Sequence, residues 1–160
     1  MNSLRTLVFP LTVSTLWLML SAPSLVAQSK DGFVGTWLLS RGKSDFNPPL
    51  AFFSRTLIIE GVDNGWKCVI RTVSDRRQTF ESTYTARFDG KDSPIDVSNL
   101  DTVALRRVDP KTVERTGKVK NEVVETAMMK LSADGKVLTI TTKGSINGED
   151  YGSTEVFNRQ

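Results

Sequence analysis

The sequence predicts an all-β fold: one up-and-down antiparallel meander, closed into a barrel of about eight to ten strands. Three observations lead there. Short runs of alternating apolar and polar residues recur from Phe33 to the C-terminus, without a helical period. Tight-turn residues separate most of the runs. A single connection, Arg41–Phe53, is long enough to cross over a neighbour.

The chain of 160 residues opens with a segment that stands apart from this pattern. Arg5 supplies a basic start, Leu7–Leu20 is uncharged and apolar, and the small residues Ser21, Ala22, Ser24 and Ala27 follow. That order is a secretory signal peptide. It is expected to span residues 1–27, with cleavage after Ala27, leaving one domain over 28–160. A membrane anchor would need about 20 apolar residues, and Pro10, Thr12, Ser14 and Thr15 interrupt this run. The expected location is therefore secreted or periplasmic.

Within 28–160 the elements follow in order. Phe33–Ser40, FVGTWLLS, is the first run, and Arg55–Gly61 places Leu57 and Ile59 on one face. Trp66–Val73 sets Trp66, Cys68 and Ile70 against Lys67, Val69 and Arg71. Phe80–Phe88 puts Phe80, Tyr84 and Phe88 on one face and Glu81, Thr83, Thr85 and Arg87 on the other. Asp101–Arg107, Thr112–Lys118, Glu122–Leu131, Val137–Lys143 and Ser153–Arg159 complete the series. Asp63-Asn64-Gly65, Asp89-Gly90, Thr116-Gly117, Asp134-Gly135 and Asn147-Gly148 supply residues that tolerate positive φ, and Asp109-Pro110 marks a further turn.

Short turns return each strand antiparallel beside its predecessor, which makes a meander. An open meander of this length leaves two unpaired edges, and closure removes them. A two-sheet sandwich would need several long crossovers. Arg41–Phe53 is the one candidate, and Pro48-Pro49 prevents a regular strand or helix through its middle. It is expected to cross one mouth of the barrel.

Composition excludes several functions. Arg5 is the only charge in 1–27, so the remainder carries 20 Lys and Arg against 18 Asp and Glu. That balance argues against nucleic acid as a partner. Histidine is absent and Cys68 is the single cysteine. Serine–histidine and cysteine–histidine nucleophiles, thiolate metal sites and internal disulfides are therefore ruled out. No metal or cofactor is expected, and Cys68, inside an apolar strand pattern, reads as a buried thiol. Glu125 and Glu155 point inward if the register holds. Paired buried carboxylates can perform acid–base work; the other reading is that one or both face solvent or pair with a strand arginine. The chain is not expected to be an enzyme.

FVGTWLLS closely resembles the first strand of the intracellular lipid-binding (fatty-acid-binding) proteins. It also contains the Gly-x-Trp motif of the wider lipocalin (calycin) superfamily, here Gly35-Thr36-Trp37. Thr79–Gly90, Val123–Gly144 and the terminal STEVFNRQ are similar to later strands of that group. The resemblance implies that Trp37 plugs the closed end of the barrel and that Gly35 lets the first strand bend there. It also implies a family carboxylate clamp, an Arg-x-Tyr pair on the last strand with a second arginine before it. The matching positions here hold Glu155, Phe157 and Met129. Arg41–Phe53 is too short for the family's two-helix lid, and in this the chain looks more like secreted bacterial lipocalin-like proteins.

Two functions follow. The first is an exported carrier of a small hydrophobic or amphipathic ligand, without the arginine clamp. Its interior would be lined by Leu57, Ile59, Ile70, Phe80, Tyr84, Phe88, Ala127, Met129, Leu138, Ile140 and Phe157, with Phe52 and Phe53 at the portal. The alternative is a ligand-free protein-interaction module with the same side chains packed as a solid core. Cavity volume separates them, since a carrier needs on the order of 300 Å³ or more.

Overall fold

The computed structural model describes residues 31–49, 52–96, 99–146 and 148–160. The expected signal peptide lies outside the described residues. Among the described residues there are eleven strands. They are β1 (Gly35–Leu39), β2 (Asp45–Asn47), β3 (Phe52–Val62), β4 (Gly65–Ser74), β5 (Thr79–Arg87) and β6 (Ser93–Asp96). β7 (Thr102–Asp109), β8 (Thr112–Val119), β9 (Glu122–Leu131), β10 (Val137–Ile146) and β11 (Glu149–Arg159) follow.

All of them but β2 pair antiparallel in chain order from β1 through β3 to β11, and β1 pairs back onto β11. The register Trp37↔Arg159 to Leu39↔Phe157 closes the ring. The fold is thus a ten-stranded meander barrel. Tight turns drive it: Asn64, Gly90, Gly135 and Gly148 all take positive φ at their bends.

Inward positions alternate as a half-buried sheet requires. Leu57 and Ile59 on β3, Trp66 and Cys68 on β4, Tyr84 and Ala86 on β5, and Val103 and Leu105 on β7 are all buried. Val113 on β8, Ala127 and Met129 on β9, Leu138 on β10 and Phe157 on β11 complete that inner surface.

Three features differ from the sequence reading. Thr116-Gly117 is not a turn. Gly117 sits inside β8, where a Cβ would meet the Glu125 and Leu100 side chains at 2.7 Å. The bend falls instead at Lys120 and Asn121, both left-handed. β6 was not anticipated, because four residues with Pro94 among them carry little alternation. It is held by two residue pairs to β5 and two to β7.

The connection after β1 forms a single 3₁₀ turn, Arg41–Lys43, and then β2, which lies along β11 through Gly152↔Asn47, Ser153↔Phe46 and Thr154↔Asp45. Ser44 fastens the turn by donating to the Ser40 carbonyl and accepting from the Val156 N–H. No helix of the described residues is long and apolar enough to cross a membrane.

Candidate functional site

The barrel interior has two zones, set by the register of the inward positions. The end that holds the Asn64, Gly90 and Gly135 turns is sealed. Trp37 is fully buried and donates from Nε1 to the Phe33 carbonyl at 2.9 Å. The Arg159 guanidinium stacks on it, 4.2 Å from the ring centroid. Arg159 then donates to the carbonyls of Gly135, Val34 and Gly32, tying the segment before β1 to the β9–β10 turn. A Cβ on Gly35, whose φ is +148°, would stand 2.6 Å from Arg159 Nη1. The glycine of Gly-x-Trp therefore leaves room for the arginine that caps the tryptophan.

The second tryptophan repeats the arrangement. Trp66 packs on Phe33 at 4.9 Å and edge-on against Phe88 at 5.0 Å. Arg107 stacks over Phe88 at 4.1 Å and over Trp66 at 5.4 Å. Asp31 accepts from Arg107, from Trp66 Nε1 at 2.8 Å and from the Phe33 N–H at 3.2 Å.

The opposite half is hollow. An outer chamber of about 440 Å³ reaches the surface between the exposed residues Asn47, Pro48 and Asn99. Phe46, Ile70, Ile95 and Leu100 form its apolar walls. Below it lies a smaller space of about 90 Å³ bounded by Leu57, Tyr84, Met129, Ile140 and Phe157. Arg55, Ile70, Arg115, Thr142 and Glu155 line both spaces, and the four polar ones form a girdle between them.

The girdle carries two ion pairs. Arg55 Nη1 meets Glu155 Oε2 at 2.7 Å, while Arg55 Nε donates to Thr72 Oγ1 at 3.2 Å. Arg115 Nη2 meets Glu125 Oε1 at 2.5 Å, and the Tyr151 hydroxyl donates to Glu125 Oε2 at 2.8 Å. Among the described residues, Arg115 Nε is the one buried side-chain polar atom without a hydrogen-bond partner.

Burial alone would weaken the Arg115 charge, but Glu125, followed by Tyr84 and Glu155, outweighs it and holds the guanidinium protonated. Burial, reinforced by Glu125, pushes the Tyr151 phenol up, so it stays a donor. Burial also pushes the Cys68 thiol up to about 12 and raises Tyr84 well above the usual phenol range. Cys68 is a packed thiol, not a nucleophile. Among the described residues no three His, Cys, Asp or Glu side chains cluster as metal ligands.

The structure sorts the residues singled out in the sequence. Leu57, Ile70, Tyr84, Met129, Ile140 and Phe157 meet around the cavity. Ile59 and Leu138 are buried but outside it. Ala127 is buried beneath a groove on the outer face, beside Thr126 and Met128. Phe88 belongs to the sealed end, on Trp66.

Phe80 is 51 % exposed, a correction to its proposed place in the lining. It shares the inward parity of Ser82 and Tyr84, but it is the second residue of β5, at the open rim, where no wall faces it. The two portal residues divide. Phe52 is buried edge-on against Phe46 at 5.3 Å, and it is Phe46 that lines the chamber. Phe53 points outward beneath the Arg77 guanidinium, 3.8 Å from its ring centroid.

Glu125 and Glu155 do face inward, each paired with a strand arginine. Arg55 and Arg115 escaped the sequence reading. The signal was present: Arg55 continues the parity of Leu57 and Ile59, and Arg115 that of Val113. An arginine at such a position reads first as a solvated strand residue.

No protein-family model matches the chain, and no curated protein matches it. Among solved structures, the zebrafish ileal bile acid-binding protein in complex with cholic acid has a TM-score of 0.52. Identity is 10 %, and the match covers 81 % of this chain and 99 % of that one. At this identity the likeness speaks for the fold alone. With the closed meander, it shows the fold: a ten-stranded antiparallel barrel of the lipocalin-like kind, shared with that bile acid-binding protein.

Proposed function

We propose that this protein is an exported, non-enzymatic carrier of a small amphipathic molecule held in the outer half of the barrel. The observation that carries the reading is the outer chamber. Its roughly 440 Å³ falls within the usual range of small-molecule sites. A few polar groups converge on largely apolar walls there, the ordinary composition of such sites. The bile-acid complex of the zebrafish barrel supports a small-molecule role at the level of fold. The Leu7–Leu20 run and the small residues after it support export to a periplasm or beyond.

Glu155 and Phe157 at the positions of the family's carboxylate clamp support a ligand held differently from a fatty acid. The ligand-free module finds less support. Phe52 is buried, and Phe53 is half-exposed with one ring face under Arg77, so the pair forms no continuous apolar face. Native mass spectrometry of residues 28–160, followed by organic extraction, tests the reading. A stoichiometric small-molecule adduct, or saturable uptake of a hydrophobic dye, is expected. A clean apo mass with no uptake would sink it in favour of the module.

A further inference from the structure

The charges of the chamber narrow the ligand class. This step rests on the carrier reading. The charged side chains among the described lining residues are Arg55, Arg115, Glu125 and Glu155, which sum to zero. Each guanidinium already holds a carboxylate, at 2.7 Å and 2.5 Å. An anionic ligand would add an uncompensated negative charge beside Glu125 and Glu155, in a space where water screens poorly. It would also have to displace a carboxylate already seated. A cationic ligand meets the mirror-image problem.

The network nevertheless leaves valences unused, and two of them stand out. The Arg115 Nε–H has no acceptor. Glu155 Oε1 receives only a long contact, from Ser153 Oγ at 3.5 Å. Arg115 and Glu155 line the same two spaces. An unmet donor and a weakly met acceptor thus face a site of zero net charge, and a hydroxyl group satisfies both.

We infer that the ligand is an uncharged amphipath bearing a hydroxyl group. Its apolar body rests against Phe46, Ile95 and Leu100, and its hydroxyl sits on the girdle between Arg115 and Glu155.

A matched series on one apolar frame tests this: 1-decanol, methyl decyl ether, decanoate and decylamine at pH 7, competing with a hydrophobic dye. The alcohol is expected to bind at least tenfold more tightly than the acid or the amine, with the ether between. Glu125→Gln keeps an acceptor oxygen toward Arg115, turns its amide N–H toward the Tyr151 hydroxyl, which can accept instead of donate, and leaves one positive charge unbalanced. It should tighten decanoate at least tenfold and bring it level with or ahead of decanol. Wild-type protein that takes decanoate as tightly as decanol overturns the inference and leaves the carrier reading standing. So does dye binding with no preference across the series, or a variant with the wild-type order. Failure of the dye and of every probe to bind removes the carrier reading, and this inference with it.

Discussion

Replacing Trp37 with alanine tests whether the Gly-x-Trp strand seals the barrel as the geometry implies. Trp37 has no exposed surface. Truncation removes roughly 150–200 Å² of buried apolar surface, which at about 25 cal/mol/Å² comes to about 4–5 kcal/mol. That is an upper estimate, since the unfolded chain already buries part of the area. The lost Nε1 bond to the Phe33 carbonyl adds about 1 kcal/mol, and the lost Arg159 stacking about another 1. Partial collapse of the void works in the opposite direction. We expect a net loss of about 3–5 kcal/mol, within the range for truncating a core aromatic. Trp37→Phe keeps most of the ring burial and should lose only about 1–2 kcal/mol. Urea melts followed by far-ultraviolet circular dichroism measure both variants without depending on the deleted fluorophore. A loss under about 1 kcal/mol for the alanine variant would refute the argument, because only an exposed or redundant side chain costs so little.

Two further outcomes are expected. The Cys68 thiol is raised from 9.0 to about 12, so its contribution is complete below pH 9 and is lost as pH climbs from 9 toward 12. By pH 10.5 it should account for about 2 kcal/mol of destabilisation, and Cys68→Val should flatten the stability–pH curve by that amount, whereas parallel curves would show that the thiol ionises freely. Asp31→Ala removes the acceptor of Trp66 Nε1, Arg107 and the Phe33 N–H together and should lower stability by about 2–3 kcal/mol, against about 1 for Asp31→Asn; a urea midpoint unchanged in Asp31→Ala would show that the segment before β1 does not latch the sealed end.

Much of this barrel was legible because strand alternation and turn chemistry are local signals. Nine runs read from the sequence correspond to strands, and Asp63-Asn64-Gly65, Asp89-Gly90 and Asp134-Gly135 are turns. β2 and β6 were not legible, since three and four residues cannot show a period. The site was legible by face but not by depth. Parity correctly grouped Phe80, Tyr84 and Phe88, yet the three fall at the rim, beside the cavity and at the sealed end. A period of two says which face a side chain takes and nothing about its height along the barrel axis. Height comes from the stagger of the neighbouring strands, a tertiary property. The reason for Gly35 was hidden in the same way. Its neighbour Arg159 lies 124 positions away in sequence and reaches it only once β1 pairs with β11.

The division of the interior explains how one small barrel can hold two ion pairs and still fold. Buried ion pairs seldom add net stability, because desolvating both partners offsets their attraction, and apolar residues of similar volume often do as well. In this barrel the stabilising contacts are concentrated at the sealed end, where two tryptophans, Phe33, Phe88 and two stacked arginines close the floor. The Arg55–Glu155 and Arg115–Glu125 pairs sit away from that floor and line open volume. Leucine or methionine at those four positions would fill the chamber and extend the core at little energetic cost. What the pairs contribute that apolar side chains cannot is a neutral but strongly hydrogen-bonding ring at the neck of a cavity. On the carrier reading proposed above, that ring is where the cavity would discriminate among ligands, at little consequence for the fold.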